Sequence, residues 1–188
     1  MSLKPTVIGI TGPFGSGKTT AASFFKTKGY YKITLSSFLE DELDKQGKEI
    51  TRRNLQDLAN SWREKFGSSF LAKKALEYVS AEKIEKVVVD GVRNLGEVEY
   101  FKANSNFILL GIVADRSVRF QRIKKLKNRE ELNRQLFDQL DLRDLGITQD
   151  LETGLQVAKC LAVSDYFINS NDENRYQQRL EEFLRKIS

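Results

Sequence analysis

Eight consecutive residues, Gly12-Pro13-Phe14-Gly15-Ser16-Gly17-Lys18-Thr19, form a glycine-rich turn that ends in a lysine and a hydroxyl. The apolar run Val7-Ile8-Gly9-Ile10 precedes them and Thr20-Ala21-Ala22-Ser23-Phe24-Phe25 follows, which is a strand–loop–helix setting. Glycines let successive backbone N–H groups turn inward around a polyphosphate, and the helix that follows adds the positive end of its dipole. Lys18 then reaches the β- and γ-phosphates and the Thr19 hydroxyl ligates Mg²⁺. The residues expected to hold the triphosphate of ATP are Gly12, Phe14, Gly15, Ser16, Gly17, Lys18, Thr19 and Thr20.

A second chemical signal is Val87-Val88-Val89-Asp90-Gly91-Val92-Arg93. It places a carboxylate at the tip of a hydrophobic strand, where Asp90 becomes the expected Mg²⁺ partner of Thr19. A terminal aspartate can also cap the following helix. Arg93 points to the same mouth, where a guanidinium can clamp an anion in bidentate fashion. Basic residues crowd between Arg116 and Arg134 and include Arg119, Arg122, Lys124, Lys125, Lys127 and Arg129. Such a run reads either as a solvated helix face or as a surface turned to phosphate. Histidine is absent, so imidazole metal ligands, Ser–His and Cys–His nucleophile pairs and a histidine base are excluded. Phosphoryl transfer needs none of them, because it asks for positioning and charge neutralisation.

The elements that must position these groups follow from periodicity. Strand-like runs fall at 6–11, 31–35, 86–90, 107–114 and 165–169. Stretches of helical period lie between them at 18–28, 37–46, 52–66, 69–83, 95–103, 115–126, 130–145, 150–162 and 172–187. Alternating strands and helices call for a five-stranded parallel sheet covered on both faces, a three-layer α/β/α sandwich. Right-handed crossovers bring the carboxyl ends of the strands to one edge, where ligands bind. That edge collects Gly12 to Thr19, Ser36-Ser37, Asp90 to Arg93 and Asp115-Arg116. Between the second and third strands the chain carries more helix than a crossover needs. This insertion, 36–84, contains Arg52, Arg53, Trp62 and Arg63, and reads either as a wall that closes over a second substrate or as an elaborated helical layer with Trp62 in its core.

At 188 residues, with 40% hydrophobic and 30% charged content, the chain is sized for one domain, 1–188. Its net charge of +5 suits acidic small molecules as well as nucleic acid. The longest apolar stretch, Phe107 to Ala114, is far below a membrane span, and no export signal opens the chain, so a cytoplasmic protein is expected. The single Cys160, set among Val157, Leu161 and Val163, reads as a small core residue.

Val7 to Thr20, Asp90-Gly91-Val92-Arg93 with Glu97-Val98-Glu99-Tyr100-Phe101, and Ser164-Asp165-Tyr166-Phe167-Ile168-Asn169 together resemble the small kinases of the nucleoside monophosphate kinase group. They are most similar to the nucleotide kinases related to dephospho-CoA kinase, whose Asp-Gly-x-Arg and Glu-Val-Glu-x-Phe segments match. The resemblance implies that Arg63 and Arg93 hold the phosphate of the acceptor and that Ser36 and Ser37 meet its nucleoside. It implies too that Arg119 and Arg122 open a lid over about 119–146 and reach the donor, and that Asn169 flanks the donor base. Catalysis would then rest on Lys18, Asp90, Arg93, Arg119 and Arg122, with Arg129 a further member of the lid. The chain departs from dephospho-CoA kinases in having Leu35-Ser36-Ser37-Phe38 where they carry an aspartate pair, and no His-Pro pair. Leu140-Asp141 stands where the related group shows Arg-Asp, with Arg143 as the substitute.

The expected activity is Mg²⁺-dependent transfer of the γ-phosphoryl group of ATP to a nucleoside or deoxynucleoside 5′-monophosphate. Dephospho-CoA kinase is the nearest alternative, and a carboxylate near its hydroxyl acceptor would be supplied by Asp90. A nucleotide-dependent switch or nucleic-acid-associated ATPase is the alternative of another class. It lacks support from an Asn-Lys-x-Asp tetrapeptide, which does not occur, and from aromatic residues interleaved with basic ones. The expected partner is therefore a small phosphorylated acceptor rather than nucleic acid or a membrane, and the oligomeric state stays open.

Overall fold

Five parallel strands, β1 (Thr6–Thr11), β2 (Tyr31–Thr34), β3 (Lys86–Asp90), β4 (Asn106–Val113) and β5 (Tyr166–Asn169), pair in the order β2-β3-β1-β4-β5. The computed structural model describes residues 4–125, 132–148 and 152–187. The central strands have no polar alternation because both faces of the sheet are covered. In β3, Val87 and Val89 face one core while Val88 faces the other, and in β4 Leu109 opposes Leu110 and Ile112 in the same way.

One layer holds α1 (Lys18–Thr27) and α9 (Glu173–Ile187), packed through Phe25, Tyr176, Leu180 and Phe183. The opposite layer is built by α2 (Leu35–Lys45), α3 (Arg52–Phe66), α4 (Phe70–Ala81), α5 (Leu95–Asn104) and the short α8 (Val157–Ala162). Cys160 lies fully buried there, and burial pushes its thiol well above the usual range, so it acts as a small apolar filler. Trp62 packs edge-on against Phe70 on the α3–α4 side, with ring centroids 5.4 Å apart.

A third cluster stands above the sheet edge. There α6 (Arg116–Lys125) and α7 (Arg134–Leu145) meet through Phe120, Ile123, Phe137 and Leu140, and Phe14 of the glycine-rich turn joins them. Asn133 caps α7 by accepting from the Leu136 N–H at 2.8 Å. The segment from Leu126 to Glu131, which includes Lys127 and Arg129, lies outside the described residues.

One expected helix is much shorter than its periodicity suggests. Among the described residues of the expected 150–162 helix, only Val157–Ala162 is helical, and residues 152–156 take another course. The cause is a set of competing hydrogen bonds made by Asn94, which caps α5. Its side-chain amide donates to the Glu152 and Gly154 carbonyls at 2.9 and 2.8 Å, while Gln156 N–H donates to the Arg93 carbonyl at 2.7 Å.

Candidate functional site

The turn between β1 and α1 closes only with glycine at its sharp corners. Gly12 and Gly15 have φ of 149° and 79°, and a Cβ on Gly15 would stand 2.8 Å from the Arg119 carbonyl oxygen. Lys18 begins α1 and folds back over the turn, donating to the Gly12 and Pro13 carbonyls at 2.7 and 3.0 Å. Burial and then the neighbouring Arg93 charge lower its pKa to about 8, against opposing contributions from Asp144 and Asp90. The buried Ser16 Oγ has no hydrogen-bond partner, so the turn keeps a hydroxyl ready for an anion.

Thr19 Oγ1 donates to Asp90 Oδ2 at 2.9 Å. The register of β1 on β3, with Ile10 beside Asp90, sets this contact. A hydroxyl and a carboxylate held together beside a phosphate-binding turn are the hard oxygen donors that suit Mg²⁺, which takes its remaining ligands from phosphates and water. Among the described residues there is no cluster of three or more metal-ligating side chains.

The rear of the turn is fastened to the last strand and helix. Ser170 Oγ donates to the Ser16 carbonyl at 2.6 Å and Tyr176 Oη donates to the Gly17 carbonyl at 2.9 Å. Arg122 reaches the same anchor, donating to Ser170 Oγ at 2.9 Å. Arg119 is buried and binds Asp141 through both of its terminal nitrogens, at 2.5 and 3.0 Å, and it also donates to the Phe14 carbonyl at 2.9 Å. The two arginines expected in a lid thus reach the phosphate turn instead, Arg119 directly and Arg122 through Ser170. Asn169 sits at the end of β5, accepting from Asn171 N–H at 2.8 Å, and Thr20 is exposed on α1.

In front of the turn lies a cavity of about 80 Å³ that opens to solvent. Its walls come from α2, α3, α4 and α7, and they are largely apolar, with Leu35, Leu39, Leu55, Leu71 and Leu140. The polar groups are Ser36, Arg52, Gln56, Arg63, Arg93 and Asp144. Arg93 is partly exposed and its guanidinium pairs with Asp144, whereas Arg63 is buried against Glu97, with contacts of 2.7 and 3.1 Å. Arg63 Nη1 is left without a partner. Ser36 Oγ donates to Glu40 at 3.1 Å, and Ser37 Oγ turns away to the Thr34 carbonyl at 2.8 Å.

Arg93, Arg63 and Ser36 line the cavity, Thr19 pairs with Asp90, which precedes Gly91 of the wall, and Ser37, Arg122 and Asn169 lie outside it. Sequence reasoning named Arg52 in the insertion read as a wall, but missed Gln56 and Asp144 as wall residues. Arg52 and Gln56 are buried at an i, i+4 spacing on α3, and Arg52 lies over the Phe14 ring at 4.9 Å. A polar stripe on a buried helix face was the available signal. Nothing in Leu142-Arg143-Asp144-Leu145 sets Asp144 apart.

The fold and this site define a nucleotide-binding P-loop protein of kinase-like α/β/α architecture. The AAA domain family model matches residues 8–145. The chain is 30% identical over 186 residues to a UPF0200 protein of Methanocaldococcus jannaschii, spanning 96% of this chain and 90% of the relative. It is 32% identical over 182 residues to one from Sulfurisphaera tokodaii, spanning 96% and 97%. This chain belongs to the AAA domain family and to the UPF0200 proteins. A shikimate kinase from Acinetobacter baumannii, solved with shikimate, superposes with a TM-score of 0.58 at 18% identity, covering 99% of this chain and 94% of that one. A gluconokinase from Sinorhizobium meliloti gives 0.52 at 12%, covering 98% and 94%. At such identities the likeness is one of fold.

Proposed function

We propose that this chain transfers the γ-phosphoryl group of ATP to a nucleoside or deoxynucleoside 5′-monophosphate, with Mg²⁺, in the cytosol. The observation that carries this reading is the cavity beside the phosphate turn, apolar along its walls and bearing Arg93 where it meets Lys18. An apolar slot suits a nucleoside, and a guanidinium at the junction suits its phosphate. Lys18 and the turn amides hold the donor's β- and γ-phosphates. Thr19 and Asp90 are the residues that would hold Mg²⁺, which when bound supplies charge neutralisation on those phosphates. Arg119 and Arg122 act through the turn, fixing its Phe14 and Ser16 peptides, with Ser170 as the intermediary for Arg122. Arg93, once turned from Asp144 to the acceptor, aligns the two substrates.

The test is a coupled assay of ADP formation with every ribo- and deoxyribonucleoside monophosphate, dephospho-CoA and polynucleotide. ADP should form only when a monophosphate is present, and Lys18→Ala should abolish it. Arg93→Ala should raise the acceptor KM or lower kcat while donor binding is retained. Stimulation by polynucleotide alone would favour a nucleic-acid-associated ATPase instead. One observation favours a second reading, transfer to a hydroxyl as in dephospho-CoA kinase: the cavity wall holds a carboxylate, Asp144, beyond the one that faces Thr19.

A further inference from the structure

Four carboxylates are buried around this opening: Asp90, Glu97, Asp141 and Asp144. Glu97 accepts from Arg63 through Oε1 and from the Arg93 and Asn94 N–H groups through Oε2. Asp141 has both oxygens on Arg119, and Asp90 accepts from Thr19. Asp144 is different. Its Oδ1 is bonded by Arg93, but its Oδ2 is buried with no hydrogen-bond partner, and it is the only one of the four with such an oxygen. Leaving a carboxylate oxygen dry and unpaired is costly, so the position is maintained against a penalty that a ligand donor would remove.

The place of that oxygen says which donor. Asp144 lines the cavity together with Arg93 and Gly91. On that wall it is bonded to Arg93, the guanidinium assigned to the acceptor phosphate. Resting on the phosphotransferase reading of this pocket but not on the identity of the acceptor, we infer that Asp144 receives the proton of the acceptor's attacking oxygen. The acceptor therefore enters with an O–H nucleophile, either an alcohol or a phosphate in its singly ionised form. A fully ionised phosphate would meet the Asp144 charge at close range.

The step balances as follows. The acceptor oxygen forms a bond to the γ-phosphorus, the bond from that phosphorus to the β–γ bridging oxygen breaks, and ADP leaves with the electron pair. The proton passes from the acceptor oxygen to Asp144 Oδ2 and from there to solvent after product release. Asp144 Oδ1 is bonded by Arg93, which turns from it to the acceptor when the substrates bind.

Asp144→Asn has the same shape and keeps an oxygen for Arg93, but it cannot take a proton. With the acceptor that the wild-type protein uses, its kcat should fall by about 100-fold or more, with the ATP KM changed by less than about twofold. Asp144→Ala should lose turnover while still binding ATP, and added formate should restore part of kcat, which a purely structural role would not allow. The ³¹P spectrum of the product separates the two sources of the O–H: an ester signal marks an alcohol, and an anhydride signal marks a phosphate. Asp144→Asn with kcat within about threefold of wild type would overturn the inference while leaving the kinase reading intact. Failure of formate on an ATP-binding Asp144→Ala would do the same. No ADP from the wild-type protein with any acceptor would overturn the kinase reading, and this inference with it.

Discussion

Lys18 carries a charge in a place that disfavours charge. It is buried, it faces Arg93, and its pKa is lowered to about 8 as a result. The sign of the consequence is fixed. A triphosphate favours the charged form, so binding raises the pKa, and above pH 8 the ligand-free protein must take up a proton to bind ATP. ATP affinity should hold steady below that pH and weaken as pH rises through it. Calorimetric titration in buffers of different ionisation enthalpy should register proton uptake above pH 8 that Lys18→Ala abolishes. Pairing governs Arg63 in a different way. Its contact with Glu97 leaves both side chains almost without solvent exposure, at 1% and 0%. Removing one partner strands the other charge, so Arg63→Ala should cost about 3–5 kcal/mol in urea unfolding. An Arg63→Ala protein of unchanged stability that only binds acceptor less well would assign the residue wholly to the ligand.

At the scale of elements, the phosphate turn is held from behind by β5 and α9. Ser170 links Arg122 to the Ser16 carbonyl, and Tyr176 holds Gly17. Losing one such hydrogen bond is worth about 1 kcal/mol, so Ser170→Ala should weaken ATP binding by about fivefold. Unchanged affinity in that variant would show that the turn keeps its shape without the clamp. These contacts also mark where the sequence was legible. The strands were visible because both sheet faces are buried, which makes Val87-Val88-Val89 and Ile108-Leu109-Leu110 apolar without a break. The phosphate turn was visible because its glycines are demanded by backbone geometry, and Asp90 was visible because it ends such a strand. The course of 152–156 was hidden, since a single side chain, Asn94, overrides a helical pattern from across the fold. Asp144 and the seat of Arg52 over Phe14 were hidden for a related reason: each depends on how α3 and α7 meet, and no local spacing encodes that.

In the proposed reading, the molecule as a whole sets two sites against one another across the carboxyl edge of its sheet. Strand order brings β1 between β3 and β4, which puts Thr19 beside Asp90. The helices α2 and α3 rise on one side, α7 closes the other, and Leu140 receives the Gln56 amide at 3.3 Å to join them. On the proposed reading, donor and acceptor would share Lys18 and Arg93 at their junction. No described helix is long and apolar enough to cross a membrane. The most direct test is a calorimetric titration of nucleoside monophosphates into protein already saturated with a non-hydrolysable ATP analogue. The account predicts that one acceptor binds per chain without displacing the analogue, and that Arg93→Ala weakens the acceptor alone. A monophosphate that binds only by competing the analogue away, or none that binds at all, would contradict it.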